Sequence, residues 1–331
     1  MKVMLLKRTC PVHEHPLTQT NIPVPEPRQG EVLIRVKACG VCHTDLHSVE
    51  GDLQLPTLPL VPGHQVVGRV EKRGPDANRF THNQRVGVTW FFSSCGSCKF
   101  CLRGRENLCG AARFTGFHEN GGYAEYMVVP EQSAFPIPES FDDTEATPLL
   151  CGGVIGYRAL KLSEMKLGGS LGMYGFGNSA HVVIQIAVKR GCRVHVFTRS
   201  PNHQDLARQL GAAWVGTSDQ LPPDPLDAAI IFAPEGNIIP RALDALDKGG
   251  TLVLAGITMT EIPPMDYKLI YGERTMRSVA NTTRRDAEEL LREAAEVPVK
   301  TVVETFPLED ANAVLQMMKE SRLRGGAALL V

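Results

Sequence analysis

Cys42, His64 and Cys151 are two thiols and one imidazole. Three such soft ligands are what a catalytic zinc takes when its fourth position stays open to water or substrate. Cys42 opens the stretch Cys42-His43-Thr44-Asp45-Leu46-His47. Its hydroxyl (Thr44), carboxylate (Asp45) and further imidazole (His47) are the groups needed to move a proton off an alcohol and to hold metal ligands in place.

A second cysteine set lies in Cys95-Gly96-Ser97-Cys98-Lys99-Phe100-Cys101, completed by Cys109. Three thiols at two-residue intervals let a tight loop fold around one ion, and the fourth returns after a short excursion. Four sulfurs close a tetrahedron, so this site is read as structural zinc. An iron–sulfur cluster is the rival, and no second cluster motif accompanies it.

The remainder of the chain must position these groups. At 331 residues it is long for one domain, so two are expected. It is 43% hydrophobic and 21% charged, the balance of a globular protein. The net charge of -1 gives no reason to expect nucleic acid or an anionic membrane as partner. No apolar run is long enough to span a bilayer, and the opening seven residues are too short an apolar core for a signal peptide. Nine cysteines, an odd number with four clustered, suit metal ligation in a reducing cytoplasm rather than disulfides. Cys10, Cys39 and Cys192 receive no role, and His13 and His15 read as surface histidines.

The first half carries short β-branched runs at 32–36, 66–70 and 85–88, set off by glycine and proline. This predicts a compact, irregular β-barrel. After Cys151 the character changes. A helix is expected at 154–163. A strand at 171–174 then enters Gly175-Phe176-Gly177-Asn178-Ser179-Ala180, and a helix follows over 181–189. Strand, glycine turn and helix are the setting of a dinucleotide fingerprint. Gly175 permits the turn, Gly177 lets a pyrophosphate approach the helix N-terminus, and Ala180 stands in for the third glycine. The next strand, 193–197, ends in Thr198-Arg199-Ser200. NAD enzymes usually place a carboxylate at the Thr198 position. Here Thr198, Arg199 and Ser200, with His203 nearby, suit a 2′-phosphate, so NADP(H) is expected over NAD(H). Further elements are expected as helix at 205–210, strands at 213–215, 227–232, 250–256 and 275–279, and helices at 238–246 and 284–295. The strand runs are apolar, as a parallel sheet covered on both faces requires.

Gly40-Val41-Cys42-His43-Thr44-Asp45-Leu46-His47, Pro59-Leu60-Val61-Pro62-Gly63-His64, the four-cysteine lobe and Leu149-Leu150-Cys151 occur in the order and spacing of one family. The chain resembles the zinc-containing alcohol dehydrogenases of the medium-chain dehydrogenase/reductase superfamily, over essentially its whole length. The resemblance implies an α/β protein, a GroES-like catalytic domain beside a Rossmann domain of six parallel strands. Its domains would be 1–152, with a structural-zinc lobe at about 92–112; 153–281 for the cofactor; and 282–331 as a return segment.

By position, the resemblance makes Cys42, His64 and Cys151 the catalytic zinc ligands and Asp45 the carboxylate orienting His64. Thr44 takes the alcohol proton and His47 ends the relay. His43 lies beside the cofactor pyrophosphate, and Arg322 or Arg324 reaches the cofactor phosphates. Two zincs per chain, an alcohol or aldehyde substrate and a homo-oligomer of two or four follow. The family usually reads Gly-His-Glu where this chain has Gly63-His64-Gln65, so the metal's rear neighbour lacks its charge. Leu53 stands where small-alcohol enzymes carry tryptophan, and Trp90 or Phe91 forms another wall. A wider pocket for primary alcohols, aromatic or medium-chain, is expected. An NAD-dependent enzyme of the same family is the first alternative. A quinone reductase-like oxidoreductase would lack the three catalytic ligands, and a zinc-binding scaffold would need no nucleotide fingerprint.

Overall fold

A computed structural model describes residues 1–331, which divide into two compact units. Unit 1 comprises Met1–Cys151, Asn281–Ala295 and Lys300–Val331, and unit 2 comprises Gly152–Ala280 and Glu296–Val299.

The spine of unit 1 is the strand Glu31–Val41, longer than its β-branched run suggested. Val32, Ile34 and Val36 turn inward while Arg35 faces solvent, and from Ala38 to Val41 every residue is buried. The strand therefore ends covered on both sides, just before Cys42. It pairs antiparallel with Gln65–Arg73, with Gly40 opposite Gln65. That register brings the residues after one strand next to those before the other, Cys42 beside His64. The returning strand Gly326–Leu330 adds on the other side, Ala327 opposite Val41. The turn Thr147–Leu150 packs on Glu31–Val41, Gln65–Arg73 and the neighbouring strand Arg85–Val88, and delivers Cys151. A separate hairpin, Phe91–Ser93 with Arg113–Phe114, carries the cysteine lobe.

Unit 2 is a six-stranded parallel sheet. Its order is Trp214–Gly216, Arg193–Phe197, Ser170–Tyr174, Leu226–Ile231, Leu246–Leu254, Thr275–Ser278. Counted by sequence this is 3-2-1-4-5-6, the Rossmann arrangement, whose ligand crevice opens where the order reverses. Ser170–Tyr174 is buried throughout, as a central parallel strand must be. Several boundaries differ from those expected, among them the helix start at Asn178 and the strand Leu246–Leu254, and two have a clear local cause. The helix Pro201–Gln209 begins at Pro201, not at 205, because Ser200 Oγ accepts the His203 N–H at 3.4 Å and proline suits the first turn. The helix expected to reach 246 stops at Asp244, because Leu246 pairs with Leu226 in the sheet. No helix is long and apolar enough to cross a membrane.

One polar group sits badly in this sheet. His195 is 2% exposed, and neither ring nitrogen has a hydrogen-bond partner. Burial lowers its pKa, and Arg193 adds to this against the opposing pull of Asp224. A base with a lowered folded pKa stabilises the fold least at low pH, because the unfolded chain takes up the proton. Stability from this source is complete above the unfolded value and lost as pH falls below it. His195→Leu is expected to raise the melting temperature by about 2–4 °C at neutral pH. The gain should be larger at pH 5.5 in scanning calorimetry. A gain independent of pH would contradict the assignment.

Candidate active site

Cys42 Sγ lies 3.6 Å from Cys151 Sγ, and His64 Nε2 lies 3.3 Å from the same sulfur. All three ligand atoms fall within 4.8 Å of one another. Tetrahedral zinc with bonds of about 2.3 Å to sulfur and about 2.0 Å to nitrogen has ligand edges of roughly 3.5–3.8 Å. The set fits that ion, and the sulfurs stand too far apart for a disulfide. Both cysteines are unpaired. The Cys42 thiol is pulled well below its usual pKa by the hydrogen bond from Cys151, with burial opposing and His64 assisting. Cys151 is pushed up in turn.

Asp45 joins two of the three ligands. One carboxylate oxygen accepts the Cys42 backbone N–H at 2.9 Å, and the other lies 3.0 Å from His64 Nδ1. Nδ1–H donating to Asp45 leaves the Nε2 lone pair for a metal. Burial works against a charged His64, but Asp45 and the Cys42 sulfur outweigh it and hold its pKa up to about 10. A metal arriving there displaces a proton. Asp45 is in the first turn of the helix His43–Glu50, which is capped by Cys42 and also carries Thr44 and His47. Thr44 is 8% exposed, with Oγ1 3.7 Å from Cys42 Sγ. His47 Nδ1 pairs with Asp52 at 2.8 Å. His43 is exposed at the helix start.

In the lobe, Cys95 and Cys109 sulfurs are 3.5 Å apart, Cys98 and Cys101 3.6 Å, Cys95 and Cys101 3.9 Å. These are the edges of a four-thiolate zinc tetrahedron, about 3.8 Å. Backbone N–H groups of Ser97 and Cys98 bring the Cys95 thiol down to about 6, readying it as a thiolate ligand.

In unit 2, Gly175 has φ +87°, and a Cβ there would meet Ala233 N at 2.9 Å. Gly177 starts the helix Asn178–Lys189, and a Cβ on it would stand in open space. That clearance over a helix N-terminus suits a cofactor pyrophosphate. Ala180 is fully buried in the first turn of that helix. Thr198 donates its N–H to Gly216 O, Arg199 is exposed, and Ser200 Oγ is engaged as the helix cap. Burial lowers the pKa of His203. Arg324 belongs to unit 1 and is exposed, its N–H bonded to Glu304.

Known proteins are similar to this chain in sequence and fold. The alcohol dehydrogenase GroES-like domain profile matches residues 28–139, and the zinc-binding dehydrogenase profile matches 180–296. The probable alcohol dehydrogenase AdhA of Mycobacterium tuberculosis is 43% identical over 100% of this chain and 97% of its own. An alcohol dehydrogenase of Geobacillus stearothermophilus is 37% identical over 96% of both. A cinnamyl alcohol dehydrogenase structure from Sorghum bicolor matches with TM-score 0.88 at 26% identity, covering 99% of this chain and 97% of that one. The chain belongs to the zinc-containing alcohol dehydrogenases of the medium-chain dehydrogenase/reductase superfamily.

For this dehydrogenase, the residues expected to wall the substrate separate. Trp90 meets the His64 ring edge to face, centroids 5.1 Å apart. Phe91 does not share that position. Phe91, the first residue of the strand that follows, is 2% exposed, with Phe114 edge-on and the Arg284 guanidinium 4.9 Å over its ring. It is lobe core. Leu53 is half-buried, its N–H bonded to His47 O. Gln65 is 6% exposed, and a Cβ at Gly40 would come within 3.0 Å of its Oε1.

Three participants escaped the sequence reading. Asp52 holds His47. Tyr123, fully buried, packs so close that a Cβ on Gly63 would lie 2.4 Å from its ring. Cys39 Sγ would be 2.8 Å from the same atom, so Gly63, at φ +96°, must be glycine. Asp45→Asn is expected to weaken the three-ligand zinc about ten- to hundredfold. Chelator competition followed by metal analysis should then find one retained zinc, in the lobe. Retention of both metals would contradict the role given to Asp45.

Proposed function

We propose that the protein is a zinc-dependent alcohol dehydrogenase and aldehyde reductase. It uses NADP(H) in preference to NAD(H) and takes primary alcohols larger than ethanol, aromatic or medium-chain. The observation that carries this reading is the convergence of Cys42, His64 and Cys151, with the Thr44 hydroxyl beside them.

A zinc ion held by those three side chains supplies a Lewis acid that lowers the pKa of an alcohol. A nicotinamide supplies the hydride acceptor. Thr44 takes the proton from the substrate oxygen, and His47, fixed by Asp52, passes it to solvent. In the reverse direction the same groups return the proton to an aldehyde oxygen. Asp45 keeps the His64 ring turned so that one nitrogen faces the metal position. The same convergence disfavours a zinc-free quinone reductase.

The cofactor preference rests on the missing carboxylate at the end of Arg193–Phe197 and on exposed Arg199. The substrate class rests on Leu53, on Trp90 and on the likeness to a cinnamyl alcohol dehydrogenase. A homo-oligomer is supported by Thr275–Ser278, which ends the parallel sheet with one edge unpaired near exposed Tyr267 and Tyr271. Nine unpaired cysteines support a reducing cytoplasm.

Steady-state kinetics on a panel of alcohols and aldehydes with both cofactors tests the reading. Benzyl alcohol should exceed ethanol in kcat/KM, and NADP should exceed NAD by about tenfold or more, the scale of one charge-assisted contact. Thr198→Asp should reverse that preference. A clear NAD preference in the unaltered protein would overturn the cofactor assignment. Gln65→Glu is expected to change turnover while zinc content stays at two per chain, and the opposite result would remove Gln65 from the catalytic environment.

A further inference from the structure

The Trp90 indole is held by more than stacking. Its edge meets His64 at 77°, its face lies on Phe114 at 5.1 Å and 12°, and Phe117 is 5.6 Å away. Its N–H donates to Asn281 Oδ1 at 3.2 Å, across 191 positions of sequence. Stacking alone leaves a ring free to slide and turn in its plane, because dispersion has little direction. A hydrogen bond at one edge removes that freedom, and a half-buried indole N–H needs such a partner.

Asn281 suits the task in backbone and in side chain. It is the residue at which the chain re-enters unit 1, and it sits at φ 53°, in the left-handed region. Glycine, asparagine and aspartate tolerate that region best. Of these, only asparagine and aspartate carry a side-chain acceptor. The residues that follow are anchored to the cysteine lobe. Arg284 donates its backbone N–H to Glu106 Oε1 at 3.0 Å and its Nε to Ser133 Oγ at 3.4 Å, while its guanidinium covers Phe91. Thr283 N–H and hydroxyl both donate to Asp286 Oδ2, at 2.9 and 2.7 Å. The acceptor is thus presented from a fixed backbone.

We propose that Asn281 is a specificity-positioning residue, whose side-chain oxygen holds the Trp90 indole against the metal ligand His64 and so sets the shape of the substrate wall. The selectivity part of this rests on the dehydrogenase reading, whereas the positioning part does not.

The test uses Asn281→Gly, which keeps the left-handed backbone and removes the acceptor, and Asn281→Asp, which keeps both. The chain has two tryptophans, so Trp214→Phe isolates the emission of Trp90. In that background, with zinc bound, Asn281→Gly should raise acrylamide quenching of Trp90 about twofold and shift its emission. Asn281→Asp should restore both. In the tryptophan-intact enzyme, Asn281→Gly should change the ratio of kcat/KM for benzyl alcohol over ethanol by about three- to tenfold, the scale of one hydrogen bond. The change should appear mainly in KM, and aspartate should again restore it. With Trp90→Phe already present, Asn281→Gly should add nothing to the ratio. Fluorescence that is unchanged in the glycine variant, or altered alike by glycine and aspartate, would overturn the positioning role whether or not the protein oxidises alcohols. A selectivity change that persists undiminished beside Trp90→Phe would overturn the route through the indole.

Discussion

The Asp45 carboxylate is the interaction on which the rest of unit 1 depends. Its two oxygens hold the backbone of Cys42 and the ring of His64, two ligands that arrive on different strands. A bare cluster of two thiols and an imidazole in a buried place is unstable as a geometry. Thiolates repel, and an imidazole free to rotate presents either nitrogen. A carboxylate bonded to both settles the tautomer and the spacing together. Its burial, at 2% exposure, keeps the bond to His64 from being weakened by water. Much of the surrounding fold serves that burial: the covered end of Glu31–Val41, the glycine at 63 and the phenol ring of Tyr123 closing over it.

The cysteine lobe belongs to the same construction. It lies at the end of the hairpin that begins beside Trp90, and it anchors the chain where that chain returns to unit 1. Four thiolates around an ion make a rigid knot in a segment with little apolar core of its own, since Cys95 and its neighbours are largely exposed. Phe114 of that hairpin stacks on Trp90, the ring that touches His64, and Arg284 covers Phe91 beside it. Unit 2 meets a different demand. Its helix starting at Gly177 leaves uncovered N–H groups and clear space above them, the requirement for approaching a pyrophosphate.

The legible part of the site was its ligand chemistry, because metal ligation asks for residue types at spacings that few other pressures produce. Cys42, His64 and Cys151 could be singled out by type, and the four lobe cysteines by interval. The glycine turn was legible for a similar reason: Gly175 and Gly177 follow a strand and open a helix. Element boundaries were less so. The helix beginning at Pro201 is announced only by a single capping hydroxyl, and the helix before Leu246 ends early because sheet pairing overrides its propensity.

The sequence by itself determined the fold class, the two candidate metal-ligand sets and the strand–glycine–helix turn, since these are carried by local pattern and by residue chemistry. Only the tertiary structure decided which aromatic faces His64. Trp90 and Phe91 are neighbours of equal promise, yet the bend before the strand Phe91–Ser93 leaves the first against the ligand while the second packs on Phe114 and under Arg284. It alone paired His47 with Asp52, seated Tyr123 behind Gly63 and brought Asn281 to the indole. Each of these is a directional contact whose partner is chosen by where the backbone travels, and a polar or aromatic residue carries no mark in its sequence position of the partner it will meet.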